Sequence, residues 1–203
     1  MKLLKIDFDD SHIEKFKKYL EILYEFRGKL NLIADGDYPY IAVRHFLESL
    51  LALPYLPPGI FSGCDLGAGA GFPGLPLKIM RSEMDLTLIE SKKKKALFLN
   101  RLIVHCQIIG VSVLATRAES IKNRKFDVIF CRAVGRIRDV IDCASSLSTQ
   151  NGIIVFYKSH NVEEEIGEAK RLFIKFGLKI SKIDKLYSPI EHRPIALVII
   201  EHS

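Results

Sequence analysis

Ten residues, Asp65-Leu66-Gly67-Ala68-Gly69-Ala70-Gly71-Phe72-Pro73-Gly74, place a carboxylate ahead of four glycines and a proline. Glycines let a backbone approach a ligand closely, and free N–H groups at the start of a following helix favour polar or anionic groups. The spacing Gly69-x-Gly71-x-x-Gly74 satisfies the dinucleotide fingerprint, so a nicotinamide or flavin enzyme is one reading. A P-loop is excluded, because no Gly-Lys-Ser/Thr follows.

Two acids favour a different nucleotide-like ligand. Asp65 stands just before the first glycine, where its charge would repel a pyrophosphate but could pair with an ammonium group. Glu90 ends the next apolar run, Leu86-Thr87-Leu88-Ile89, and is placed to accept hydrogen bonds from both ribose hydroxyls. An acid, a Gly-x-Gly-x-Gly turn and a second acid after the next strand suit S-adenosylmethionine, which carries an ammonium and no phosphate. Glycine turns also form simply to let strand and helix pack, so on the loop alone both nucleotide readings stay open.

Cations gather on the same side of the pattern. Thr116-Arg117-Ala118-Glu119 follows an apolar run at a position where an adenine edge could be met; Arg117 and Glu119 could equally form a loop ion pair. Arg132 closes the apolar run 126–131, Arg136 and Arg138 follow it, and Lys158 closes the next run. Arg132 and Lys158 on one edge point to nucleic acid, or else are isolated surface charges. Lys92, Lys93, Lys94 and Lys95 oppose the dipole of the helix they begin, and read as a phosphate-contacting patch or as a solvated helix end. Arg44-His45 lies at the margin of an apolar helical face. His12, His105, His160, His192 and His202 form no metal-ligand pattern, no Ser–His or Cys–His pair marks a nucleophile, and no metal is expected.

These residues need a scaffold. Runs at 60–65, 85–90, 111–115, 126–131 and 152–157 read as strands separated mostly by helices, notably 93–106 and 162–176. Strand–helix alternation predicts a doubly wound, mostly parallel α/β sheet. Segments 178–186 and 195–200 predict a closing hairpin with an antiparallel last strand at the end of the sheet. Upstream, apolar spacing predicts a helix from about 9 to 32, with Ser11 as N-cap and Glu14 completing a capping box. A polar turn at 34–39 precedes a second helix at about 41–53. Pro54, Pro57, Pro58 and Gly59 mark a boundary between a helical N-terminal extension (1–58) and the α/β domain (59–203).

With 203 residues, 48% hydrophobic content and net charge +6, the chain reads as globular and compatible with a polyanionic partner. No apolar stretch reaches the roughly 18 residues of a membrane span. The N-terminus turns acidic too early for a secretory signal, and Cys64, Cys106, Cys131 and Cys143 lack Cys-x-x-Cys spacing, so buried free thiols in the cytoplasm are expected.

The chain resembles the RsmG (GidB) family of S-adenosylmethionine-dependent methyltransferases. The likeness runs through Leu30-Asn31-Leu32, Val43-Arg44-His45-Phe46-Leu47-Glu48-Ser49-Leu50, the loop 65–77, Arg117-Ala118-Glu119, Phe126-Asp127, Cys131-Arg132-Ala133 and Tyr157-Lys158. It implies a Rossmann-like class I methyltransferase acting on guanine N7 in the decoding-region loop of bacterial 16S ribosomal RNA, within the small ribosomal subunit. It also implies that Gly67, Phe72, Ala118, Glu119 and Arg132 contact the methyl donor, beside Asp65, Gly69, Gly71 and Glu90 from the reading of the loop itself. Asn31, Arg44, His45, Arg117, Arg132 and Lys158 would position the RNA. Ile33, Gly36, Cys131 and Ser159 depart from the family's usual residues. A non-catalytic RNA-binding module is the remaining alternative.

Overall fold

The computed structural model describes residues 6–159, 161–188, 191 and 193–203. His160, His192 and residues 1–5, used above in the metal and signal readings, lie outside the described residues.

The first helix, α1, spans Asp10–Glu25, and its cap lies two residues before the expected one. Asp9, not Ser11, is its N-cap: its carboxylate accepts the His12 amide at 2.9 Å, and the His12 ring accepts the Asp9 amide at 3.2 Å. A carboxylate is the stronger acceptor and also meets the positive end of the helix dipole. The helix stops short of Leu32 because the chain turns at Gly28, whose φ of 74° favours a residue without a Cβ. The polar turn expected at 34–39 is a 3-10 segment, Asp35–Tyr40, and the second helix expected at 41–53 is broken into a π-helical turn Ala42–Leu47 and a 3-10 segment Leu50–Tyr55. Pro54 lies in the last of these, where its missing N–H discourages a regular α-helix.

The strands are β1 (Ser62–Leu66), β2 (Asp85–Ile89), β3 (Val111–Leu114), β4 (Phe126–Arg132), β5 (Ser148–Lys158), β6 (Leu178–Tyr187) and β7 (Pro194–His202). Helices α2 (Gly74–Met80), α3 (Lys93–His105), α4 (Ile137–Leu147) and α5 (Glu163–Lys175) connect them. The sheet order is β3-β2-β1-β4-β5-β7-β6, with β1 to β5 parallel and β7 antiparallel to both neighbours. The last strand is thus antiparallel as expected, but it lies one place inside the edge. Its run Ile195-Ala196-Leu197-Val198-Ile199-Ile200 is buried at every residue, whereas β6 alternates with exposed lysines that suit an edge.

Period-2 alternation splits the core between the two faces of the sheet. Val128 and Phe130 join Tyr19 of α1, Leu75 of α2 and Leu99 of α3 on one face. Ile129 and Cys131 join Ile141 of α4 and Phe173 of α5 on the other. Cys64, Cys106 and Cys131 are buried free thiols; Cys143 is partly exposed. Among the described residues no helix is long and apolar enough to cross a membrane.

Candidate active site

The carboxyl ends of β1, β2, β3 and β4 enclose a cleft of about 560 Å³. Gly67, Gly69, Glu90, Arg117, Ala118 and Glu119 all line it. Parallel strands explain the convergence, since every strand ends on the same edge and releases its loop there.

The glycine loop is shaped from both sides. Gly67 has φ of 68°, and a Cβ there would come within 2.5 Å of the Val134 side chain. The Gly71 Cβ would meet the Tyr19 hydroxyl. That hydroxyl donates to the Ala70 carbonyl at 2.7 Å, and the Tyr19 ring stacks on Phe72 at 5.4 Å. His45 stacks on Phe72 as well, at 4.9 Å, and Phe46 closes the aromatic group. The N-terminal segment therefore holds the loop that the glycines allow.

Asp65 ends up beneath the cleft, fully buried. One carboxylate oxygen accepts the Gly74 amide at 2.8 Å; the other has no hydrogen-bond partner among the described residues. Burial drives its pKa up to about 7, against the lowering effect of the Gly74 bond and of Arg132. Glu90 is held open toward the cleft by two backbone amides, Gly69 at 3.0 Å and Lys92 at 2.8 Å. A carboxylate has about four lone-pair sites, so two acceptor positions remain.

Arg132 does not line the cleft. Its guanidinium donates to the carbonyls of Arg44 at 2.5 Å and His45 at 3.4 Å, to the Ser49 hydroxyl at 3.2 Å and to Glu48 at 2.9 Å. It fastens the π-helical turn to the end of β4. Arg44 is bound between Asp37 and Glu191. Lys158 donates to the Gly135 carbonyl at 2.5 Å and pairs with Glu165 at 2.7 Å. Arg136 and Arg138 both reach Glu168. His45 is largely buried, and desolvation together with the Arg132 charge lowers its pKa to about 4, so it is neutral. Asn31 is exposed beyond α1. Tyr157, paired with Arg132 across the sheet, donates to the Ser49 carbonyl at 2.5 Å.

The connection from β4 to α4 also lines the cleft, through Ala133, Val134, Asp139, Val140 and Cys143. Sequence reasoning did not place these residues in the site. Ala133 has φ of 55°, a left-handed conformation that costs a residue with a Cβ on the order of 1 kcal/mol. The available signal was Ala133-Val134-Gly135, a tight turn directly after a strand end. Among the described residues no group of three His, Cys, Asp or Glu side chains is arranged to hold a metal ion.

A five-strand parallel sheet with an antiparallel β6–β7 end, an acid–glycine loop after β1 and an acid after β2 define a Rossmann-like methyltransferase. A glycopeptide N-methyltransferase solved with S-adenosyl-L-methionine superposes with a TM-score of 0.65 at 8% identity, over 78% of this chain and 94% of that one. The chain belongs to the GidB family, rRNA small subunit methyltransferase G, whose model matches residues 12–194. The ribosomal RNA small subunit methyltransferase G of Lysinibacillus sphaericus is 33% identical over 202 residues, covering 97% of this chain and 85% of that protein. The protein of that name from a Geobacillus species is 32% identical over the same length and coverage.

Proposed function

We propose that the protein transfers a methyl group from S-adenosylmethionine to N7 of a guanine in the decoding-region loop of 16S ribosomal RNA, working in the cytoplasm on the small ribosomal subunit. The observation that carries the donor assignment is Asp65, whose buried, unpartnered oxygen lies under the glycine loop. An ammonium group matches that oxygen, and a pyrophosphate would be repelled by it. The free lone pairs of Glu90 match ribose hydroxyls on the far side of the same loop.

Gly67, Gly69, Gly71, Phe72, Glu90, Ala118 and Glu119 hold the donor in this reading, with Asp65 beneath them. S-adenosylmethionine supplies, when bound, an electrophilic methyl group on a sulfonium. Guanine N7 offers a lone pair and no proton, so the chain need provide no general base. A neutral, stacked His45 and an Arg132 committed to hydrogen bonds within the fold accord with that chemistry. What the residues contribute is placement of base and donor in line. Asn31, Arg44, His45, Arg117, Arg132 and Lys158 serve as positioning residues: Arg132 and Arg44 by fixing the N-terminal segment over the strand ends, Lys158 by fixing the turn at Gly135. A base inside a folded RNA must first be extruded, at a cost of a few kcal/mol.

The test is transfer of labelled methyl to small-subunit RNA from cells lacking this protein, offered as naked RNA and as assembled subunit, with the modified nucleotide mapped. Label on a single guanine supports the reading. Tight RNA binding without transfer would favour a non-catalytic module, and calorimetric binding of NAD but not S-adenosylmethionine would replace the donor.

A further inference from the structure

The cations at and after the ends of β4 and β5, and Arg44 in the N-terminal segment held there, are already neutralised within the fold. Arg44 has Asp37 and Glu191, Arg132 has Glu48, Lys158 has Glu165, and Arg136 and Arg138 share Glu168. An incoming polyanion gains little from charges that already hold a carboxylate.

The other half of the same edge differs. Lys92, Lys93 and Lys94 are exposed at the start of α3, Lys95 is partly exposed, and Arg117 is exposed after β3. None of these five makes an ion pair among the described residues. Lys92, Lys95 and Arg117 line the cleft. Acids also face it: Glu90 is committed to two backbone amides, Asp139 lies 3.5 Å from Arg138, and Glu119 is exposed. The lysines stand at the positive end of the α3 dipole, the wrong end for cations, so helix stability does not account for them.

We propose that Lys92, Lys93, Lys94, Lys95 and Arg117 form the surface that receives the phosphate backbone of the RNA substrate. This rests on the proposed RNA methyltransferase activity and adds where the RNA lies. By strand order β2 is three steps of about 4.8 Å from β5, on the order of 14 Å. An RNA strand crossing the edge would thus lay its backbone on the β2–β3 rim while its target base enters between β1 and β4. The contacts are to phosphate, so they set affinity and register and carry no sequence information.

The test uses Lys93→Ala/Lys94→Ala and Lys93→Glu/Lys94→Glu double variants, both positions being exposed and outside the cleft lining. Binding of small-subunit RNA is measured from about 50 to 200 mM salt, with S-adenosylmethionine binding and melting temperature alongside. The alanine pair should weaken RNA binding roughly tenfold at low salt and reduce the slope of log K against log salt by about 0.7 for each lost contact to single-stranded RNA. The glutamate pair should weaken it further, a Lys93→Arg/Lys94→Arg pair should restore it, and donor affinity should not move. Unchanged RNA affinity and salt slope, in a background where the wild type methylates RNA, overturn this proposal alone. Weakened capture of an acidic protein with RNA binding intact would also overturn it. A wild type that transfers no methyl to RNA overturns the activity beneath it.

Discussion

The Tyr19 hydroxyl donates to the Ala70 carbonyl at 2.7 Å across 51 residues of chain, while its ring lies within 5° of parallel to Phe72. One side chain of α1 thereby fixes both the backbone and an aromatic of the glycine loop. Tyr19→Phe keeps the ring and removes the donor, leaving a buried carbonyl unpaired at a cost of about 1–3 kcal/mol. The melting temperature should fall by roughly 2–10 °C. In steady-state kinetics KM for S-adenosylmethionine should rise severalfold while kcat changes little. An unchanged KM would mean that α1 does not control the loop.

Asp65 and His45 pull the pH dependence of stability in opposite directions. Asp65 titrates at about 7 in the folded state against an ordinary 3.8, so between those values the folded chain holds a proton that the unfolded chain has lost. Stability from Asp65 therefore falls as pH rises through that window. His45 titrates at about 4 against an ordinary 6.5, so the unfolded chain takes up a proton that the folded one refuses, and stability from His45 rises with pH. Each slope is about 1.4 kcal/mol per pH unit, and they cancel between about pH 4 and 6.5. Relative to wild type, Asp65→Asn should tilt the urea-unfolding free energy upward with pH and His45→Gln should tilt it downward. Parallel profiles for the two variants would contradict the assignment. Donor affinity should also improve as pH rises through about 7, as Asp65 ionises.

Arg132→Ala removes a buried cation and leaves Glu48, itself 3% exposed, with Arg193 as its remaining charged partner. Breaking a buried pair costs about 3–5 kcal/mol, so the melting temperature should drop on the order of 10 °C and methyl transfer should be lost with it. Arg132→Lys restores a charge but cannot serve Arg44, His45, Ser49 and Glu48 together, and should fall in between. Equal melting temperatures for all three proteins would refute this role.

Glu90→Gln retains one acceptor and turns an amide N–H toward a backbone N–H. Losing a charge-assisted bond on the order of 1.5–3 kcal/mol should weaken S-adenosylmethionine binding roughly 10- to 100-fold by calorimetry, with RNA affinity unaltered. A donor affinity equal to wild type would remove Glu90 from the site.

The parallel strands were legible because Leu86-Thr87-Leu88-Ile89 and Phe126-Asp127-Val128-Ile129-Phe130-Cys131 are bounded apolar runs, and because Gly67, Gly69 and Gly71 mark the turn between the first strand and its helix. The N-terminal segment was legible only in part. A helical spacing continues through Phe26 and Leu30, but Gly28 ends the helix and those residues reach the core from a turn. Arg132 was read from its type and place on a strand end, where an arginine facing solvent and one satisfied by carbonyls 87 and 88 residues upstream look alike. The β4–α4 lining went unread because Val134 and Val140 are ordinary apolar residues, and they reach the cleft through the turn at Ala133–Gly135 and the first turn of α4.

The fastening of the N-terminal segment has a consequence for how the chain acquires its shape during synthesis. Residues 44–49 are held by Arg132 and Tyr157, and Arg44 and Glu48 also by Glu191 and Arg193, up to 147 positions later. Contacts so distant in sequence close late and slow the search for the native arrangement. Residues 44–49 are translated well before their partners and thus settle late, waiting on the strands that complete the sheet.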